Sequence, residues 1–150
     1  MVFMNKLYTI GFTQKSAEVF FELLKKNNIE TVIDIRLNNT SQLAGFAKFP
    51  DIQYFLNEIC GIKYIHDKKF SPTEETLKRY KNKKIDWKKY TEEFNQTMKM
   101  RTIDKYIEET YSNYDNICLL CSEVSHENCH RSIISEKFKE QFNSISIINL

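Results

Sequence analysis

The chain has 150 residues, 41% apolar and 28% charged, with 11 Phe and 8 Tyr but only 3 Gly and 2 Pro. Collagen, coiled coil and disorder are excluded, and one globular domain over residues 1–150 can bury a core without a metal or disulfide. The net charge of +2 is too small to argue by itself for a nucleic-acid partner.

No apolar run approaches the roughly 20 residues that cross a bilayer. The start, Met1-Val-Phe-Met-Asn-Lys-Leu-Tyr8, lacks the basic region and apolar core of a signal peptide. A cytoplasmic protein with no membrane contact is expected. Four cysteines, Cys60, Cys118, Cys121 and Cys129, are too few and too irregular for a disulfide scaffold. Three of them fall within twelve residues, the first hint of a site.

In chain order, Lys6-Leu-Tyr-Thr-Ile10 reads as a short buried strand ending at Gly11. Ser16 opens a helical pattern with Val19, Phe20, Leu23 and Leu24 on one face and Asn27-Asn28 as its stop. Thr31-Val-Ile-Asp-Ile35 is a second strand, β-branched and nearly all apolar, which predicts a βαβ unit and a sheet covered on both faces. Residues 38–49 form a loop with Gly45. Asp51 starts a helix with Ile52, Phe55, Leu56 and Ile59 on one stripe, ended by Gly61. Residues 62–65 are a third strand. Pro72 suits a first helical turn with Ser71 as N-cap. Helical patterns follow over 73–81 and 87–111, the latter with Tyr90, Phe94 and Met98 inward. Ile117-Cys-Leu-Leu-Cys121 is a fourth strand. A helix from near Cys129 to about Gln141 turns Ile133, Ile134 and Phe138 inward, and residues 144–150 form the last strand.

The sum is an α/β protein, a three-layer Rossmann-like sandwich on a mostly parallel five-stranded sheet. Right-handed crossovers restrict the topology, and the order 3-2-1-4-5 is expected. Ligands in such sheets bind beyond the carboxyl ends of the strands, where the order reverses. The polar residues at those ends are Thr9, Gly11 and Thr13, then Asp34 and Arg36, then Cys121 and Glu123.

Gly11 after a strand lets backbone N–H groups approach an anion, although a plain turn reads the same. Asp34 and Arg36, two apart, point the same way. Either they form a structural ion pair, or Arg36 holds a phosphate or carboxylate that Asp34 helps orient. Cys118 and Cys121 spell C-x-x-C, but three residues apart on a strand they face opposite sides, so Cys118 is a small core residue.

Cys121 ends its strand, and Cys129-His130-Arg131 opens a helix nearby in sequence. Three readings stay open. Cys121 is a nucleophile with Glu123 or His130 as proton partner, Cys121 and Cys129 are a redox pair, or both thiols bind zinc with His126 and His130. The zinc spacing matches no common pattern, so neither metal nor cofactor is expected. Glu123 alone could polarise water or stabilise a cationic sugar transition state. Arg131 sits against the helix dipole, which suggests an anion nearby. The stretch Lys78-Arg-Tyr-Lys-Asn-Lys-Lys-Ile-Asp-Trp-Lys-Lys89 carries seven basic residues against one acid. It reads either as a solvated helical hairpin with its aromatics inward or as a nucleic-acid grip.

Together these segments resemble the family called domain of unknown function 488. Its members show T-I-G-H-S near the start, then D-V-R, then C-x-E followed by C-H-R. The matching segments here are Thr9-Ile-Gly-Phe-Thr13, Asp34-Ile-Arg36, Cys121-Ser-Glu123 and Cys129-His-Arg131. Gly61-Ile-Lys-Tyr-Ile-His66 is similar to a central G-I-x-Y segment, and the likeness runs from Leu7 to Ile148. Phe12 stands where the family often has His, and Thr13 in place of Ser keeps the hydroxyl. The resemblance implies an α/β sandwich and a polar cluster like an active site, with no established reaction. The expectation is an enzyme that binds an anionic, nucleotide-like ligand through Arg36, Arg131 and backbone N–H groups near Gly11. Glu123 would do acid–base work and Cys121 would act as nucleophile or support. A nucleic-acid-binding module and a thiol-redox or zinc protein are the alternatives.

Overall fold

The computed structural model describes residues 4–40, 44–122, 129–143 and 145–150. Strands β1 (Lys6–Gly11), β2 (Thr31–Asp34), β3 (Lys63–His66), β4 (Ile117–Cys121) and β5 (Ser146–Asn149) form one sheet. Every strand pair is parallel. Their spatial order is β3-β2-β4-β1-β5, not the expected 3-2-1-4-5. β4 inserts between β2 and β1. All five of its residues are buried, which suits a strand that is paired along both edges and covered on both faces. Right-handed crossovers permit either order, so local pattern could not select one.

The side chains of β4 alternate cleanly. Ile117, Leu119 and Cys121 face one apolar layer, whereas Cys118 and Leu120 face the other. The C-x-x-C pair is therefore split between the two faces, as a period of two requires. Burial pushes the Cys118 thiol well above its ordinary range, so it is an inert core residue.

Helix α1 (Ala17–Lys26) starts where the Ser16 hydroxyl accepts the Val19 N–H at 3.2 Å. α2 (Asp51–Phe55) runs into a wider π turn over Leu56–Cys60, and Gly61 ends it at φ +65°. The wider turn carries Ile59 off the stripe of Ile52 and Leu56, leaving it 56% exposed. α1 and α2 cover one face of the sheet.

The other face is covered by α3 (Glu74–Lys81), α4 (Trp87–Met100), α5 (Ile103–Tyr111) and α6 (His130–Gln141). Thr73, not Ser71, caps α3 by accepting the Thr76 N–H; the Ser71 hydroxyl instead donates to the Lys68 carbonyl. The expected helix over 87–111 breaks at Thr102, where φ is +48°. The apolar stripes explain the break. Met98 and Ile103 both face the core, yet five residues of unbroken helix would turn about 500°, about 140° off that face. The Arg101 guanidinium ties the break down by donating to the carbonyls of Lys68, Lys69 and Ser71. Below it the Asp67 carboxylate accepts the hydroxyls of Tyr106 and Tyr111 at 2.7 and 2.6 Å. Among the described residues, no helix is long and apolar enough to cross a membrane.

Candidate functional site

The tail of β2 is the frame of the site. Asp34 is fully buried, and its Oδ1 accepts the Nε–H of Arg36 at 2.8 Å and the backbone N–H of Arg36 at 3.1 Å. Its Oδ2 accepts Arg36 Nη2 at 2.7 Å and the Tyr64 hydroxyl at 2.6 Å. Nη2 of Arg36 also donates to the Ala47 carbonyl at 2.7 Å. Burial opposes the Arg36 charge, but the Asp34 hydrogen bonds and charge outweigh it and hold the guanidinium pKa above its ordinary value. Asp34 and Arg36 thus bind each other, and two of the guanidinium nitrogens are committed to protein acceptors.

Phe12 stands under this pair. It is buried, and the Arg36 guanidinium carbon lies 5.1 Å from its ring centroid. Phe12 therefore supplies an aromatic face to the cation. Tyr64 was missed as a site residue, as were Asn39 and His66. Asn39 donates to the Tyr64 hydroxyl at 3.0 Å and lies 3.2 Å from His66 Nδ1, while His66 Nε2 lies 2.7 Å from the Arg36 carbonyl. The one available signal was the Gly61-to-His66 segment.

The carboxyl end of β4 meets the start of α6 beside that frame. Cys121 Sγ lies 3.0 Å from Cys129 Sγ and 3.8 Å from His130 Nδ1. His130 Nε2 sits 2.8 Å from the Ile35 carbonyl. A carbonyl can only accept, so Nε2 carries a proton and Nδ1 is turned toward the sulfur. All three side chains are buried.

Cys129 donates its thiol proton toward Cys121, and that hydrogen bond, against the opposing effect of burial and with the help of His130, holds the Cys121 thiol well below its ordinary range. The Cys129 thiol is pushed far upward by the same contact and by burial. Burial disfavours a charged His130, but the adjacent Cys121 thiolate and the Ile35 carbonyl raise its pKa overall. The arrangement is a thiol of lowered pKa beside an imidazole of raised pKa, with a second thiol of raised pKa alongside. The donor atoms of Cys121, Cys129 and His130 lie within 4.8 Å of one another. Two thiols and an imidazole are also a donor set that suits a soft divalent ion.

A cavity of about 180 Å³ opens on these groups. Cys121, Cys129 and His130 line it. So do Leu77, Tyr80, Trp87 and Tyr90 from α3 and α4, with Phe12 and Arg36. Lys81, exposed, stands at the edge. The cavity lies beyond the carboxyl ends of β1, β2 and β4, which are adjacent in the sheet: Gly11 pairs with Cys121, and Ile35 donates to the Leu120 carbonyl.

The other expected site residues fall elsewhere. Thr9 donates its hydroxyl to Asn149 Oδ1 on the edge strand β5. Gly11 is the last residue of β1 rather than a turn, and α1 begins only at Ala17, so it is not part of a helix-terminal anion cradle. Thr13 is exposed, and both its hydroxyl and its N–H donate to the Ser122 carbonyl, which clamps the segment after β1 to the one after β4. Arg131 is 1% exposed in the first turn of α6 and is not among the described residues lining the cavity. Burial and then the Arg131 charge lower the pKa of Lys15, and that charge also acts on Cys118 and Cys129. Glu123 and His126 lie outside the described residues.

No curated protein and no solved structure matches the chain. A family model, domain of unknown function DUF488, matches residues 16–138. The match runs from the cap of α1 into α6. It takes in the Asp34-Arg36 pair and the Cys121-to-Arg131 motif but stops short of Thr9-to-Thr13. With most of its length matched, including the strands and helix that carry the two thiols, the chain belongs to the DUF488 family.

Proposed function

We propose that the chain is a thiol enzyme in which Cys121 is the nucleophile toward a small, ring-bearing, anionic substrate of nucleotide-like character. One observation carries the reading: the buried Cys121 sulfur, 3.0 Å from Cys129 Sγ and 3.8 Å from His130 Nδ1, lines an aromatic-lined cavity. A volume of about 180 Å³ is below the roughly 300–1,000 Å³ of sites that hold drug-sized ligands, so one ring system fits rather than a long chain.

In the first step Cys121 Sγ gives its electron pair to an electrophilic carbon of the substrate. The sulfur–carbon bond forms, the bond to the leaving group breaks, and His130 Nδ1–H protonates the departing group. Water then attacks the same carbon, loses its proton to a base and releases the thiolate. Glu123, two residues past Cys121, is assigned the role of that base. Lys81 faces the substrate's negative charge, and Arg36, held by Asp34, shapes the cavity wall.

The test is alkylation with iodoacetamide near neutral pH, read by intact mass and peptide mapping, beside a thermal-shift screen of nucleotides, nucleosides and sugar phosphates. Cys121 is expected to react first. A ligand at 100 times its dissociation constant adds about 2.7 kcal/mol to stability. A Cys121 that stays unmodified while Cys60 reacts overturns the reading.

The 3.0 Å approach of the two sulfurs favours a second reading, thiol–disulfide chemistry. There the Cys121 thiolate attacks one sulfur of a disulfide substrate, the substrate S–S bond breaks, and His130 Nδ1–H protonates the departing thiolate. The neutral His130 then takes the Cys129 proton, Cys129 attacks Cys121 Sγ to form the Cys121–Cys129 disulfide, and the second substrate thiol leaves with the proton held by His130. Reversible loss of two hydrogen atoms, their electrons passed to the disulfide substrate and the new bond mapped to Cys121 and Cys129, distinguishes it. Elemental analysis of protein purified without chelator tests whether a metal holds the thiols instead.

A further inference from the structure

The α3–α4 hairpin walls the cavity with its aromatics and presents its cations just outside. Lys81, Lys83 and Lys84 line one surface hollow with Tyr80, and Lys78 and Lys81 line a second with Leu77 and Asn38. Both hollows share Lys81 with the cavity that exposes Cys121, and each shares further lining residues with it. The cationic track therefore runs continuously into the aromatic-walled opening.

Two acids, Glu74 and Asp86, also line these hollows, but the cations outnumber them and are not paired with them. Lys78, Lys81, Lys83, Lys84 and Lys88 are exposed, and none forms an ion pair among the described residues. Arg79 and Lys89 do, with Glu93 and Glu92. Asp86, the one acid inside the run, accepts the Lys89 backbone N–H as the cap of α4. Lys83 holds φ +58° at the turn between α3 and α4. A run of cations without ion-pair partners is favourably neutralised by a polyanion.

We propose that this hairpin binds a single-stranded nucleic acid, with its phosphates along Lys78, Lys81, Lys83 and Lys84 and one base entering the cavity against Trp87 and Tyr80. This rests on the reading of the cavity as the substrate site and names the substrate class: a base or nucleotide within a strand. A base held in a duplex could not enter, because the cavity is concave and its volume admits one ring system. Aromatic stacking with a flanking basic groove is the usual physics of single-strand binding.

The chain has one tryptophan, Trp87, in the cavity wall, so its fluorescence reports directly on base entry. The experiment titrates short single-stranded oligonucleotides, DNA and RNA, into the protein and follows both Trp87 emission and the anisotropy of a labelled strand. The result expected is binding that quenches Trp87 and weakens roughly 50-fold between about 50 and about 200 mM salt, as about four neutralised phosphates imply. Lys81→Glu, Lys83→Glu and Lys84→Glu together should weaken it at least about tenfold, with unchanged circular dichroism; the milder Lys→Gln triple keeps the test open should charge reversal impair folding.

Heparin or anionic vesicles binding as well as the oligonucleotides, without Trp87 quenching, would overturn the proposal in favour of a general polyanion face. So would oligonucleotide binding that ignores all three lysines. If Cys121 is alkylated first while no strand binds, only the nucleic-acid inference fails. If strands bind and quench Trp87 while Cys121 is inert, only the thiol reading fails.

Discussion

Replacing Asp34 by Asn keeps its shape and removes its charge. In the native protein this carboxylate accepts four hydrogen bonds: two from the Arg36 side chain, one from the Arg36 N–H and one from the Tyr64 hydroxyl. The amide turns one acceptor oxygen into a donor, so either Arg36 Nη2 and Tyr64 or Arg36 Nε and its N–H face a donor. The guanidinium, only 6% exposed, also loses its counter-charge. Breaking a buried pair from one side costs about 3–5 kcal/mol, a large share of the roughly 5–15 kcal/mol that holds a domain folded. With a urea slope of about 2 kcal/mol per molar, the unfolding midpoint should fall by about 2 M. Asp34→Leu combined with Arg36→Met, which removes both charges, should recover most of the loss. Equilibrium urea unfolding of the single and double variants gives both numbers. A loss below about 1 kcal/mol in Asp34→Asn, or a double variant no better than the single, would refute the structural pairing and return Arg36 to the role of a free anion receptor.

The Cys121 thiolate, held low by Cys129 and His130, should keep its alkylation rate as pH falls through the ordinary thiol value of about 8.5, because the reactive form persists above the lowered pKa. Cys60, pushed upward by burial, should lose about tenfold per pH unit over the same range. In His130→Ala the neutral-pH rate at Cys121 should drop at least about tenfold. The charge pair at 3.8 Å is worth about 4 kcal/mol at an effective dielectric of about 20, and a third of that suffices. An unchanged pH–rate profile would show that His130 does not support the thiolate. Burial and the Asp67 hydrogen bonds raise the phenols of Tyr106, to about 12, and of Tyr111, further still. The native state thus holds protons that unfolded tyrosines release. That stability is fully present below about pH 10 and is lost as pH rises through about 12, and Tyr111→Phe should flatten the alkaline fall in melting temperature. Phe94→Ala should cost about 3–5 kcal/mol in chemical unfolding, because Phe94 is 1% exposed and packs 5.6 Å from the His130 ring. A loss under 1 kcal/mol would mean that α4 does not buttress the site.

Much of this protein is written in short-range pattern. The β-branched run at Thr31 to Asp34 and the apolar run at Ile117 to Cys121 are strands where expected, and Ser16 caps the first helix. The period of two along β4 by itself separates Cys118 from Cys121, as the two faces of the sheet show. Such features depend on a few neighbouring residues whose backbone geometry admits one reading. The clustering of Cys121, Cys129 and His130 was visible as proximity along the chain. Which atoms face which was not, since the Ile35 carbonyl that turns the imidazole comes from another strand. Strand order, the break at Thr102 and the Asp34–Arg36–Tyr64 network depend on partners 30 or more residues apart or on how stripes meet the sheet. Contacts of that kind leave no periodic trace, because the chain between them can close in more than one allowed path at similar local cost. Packing of both faces against one sheet selects the path, and with it the place where two sulfurs and an imidazole meet a cavity.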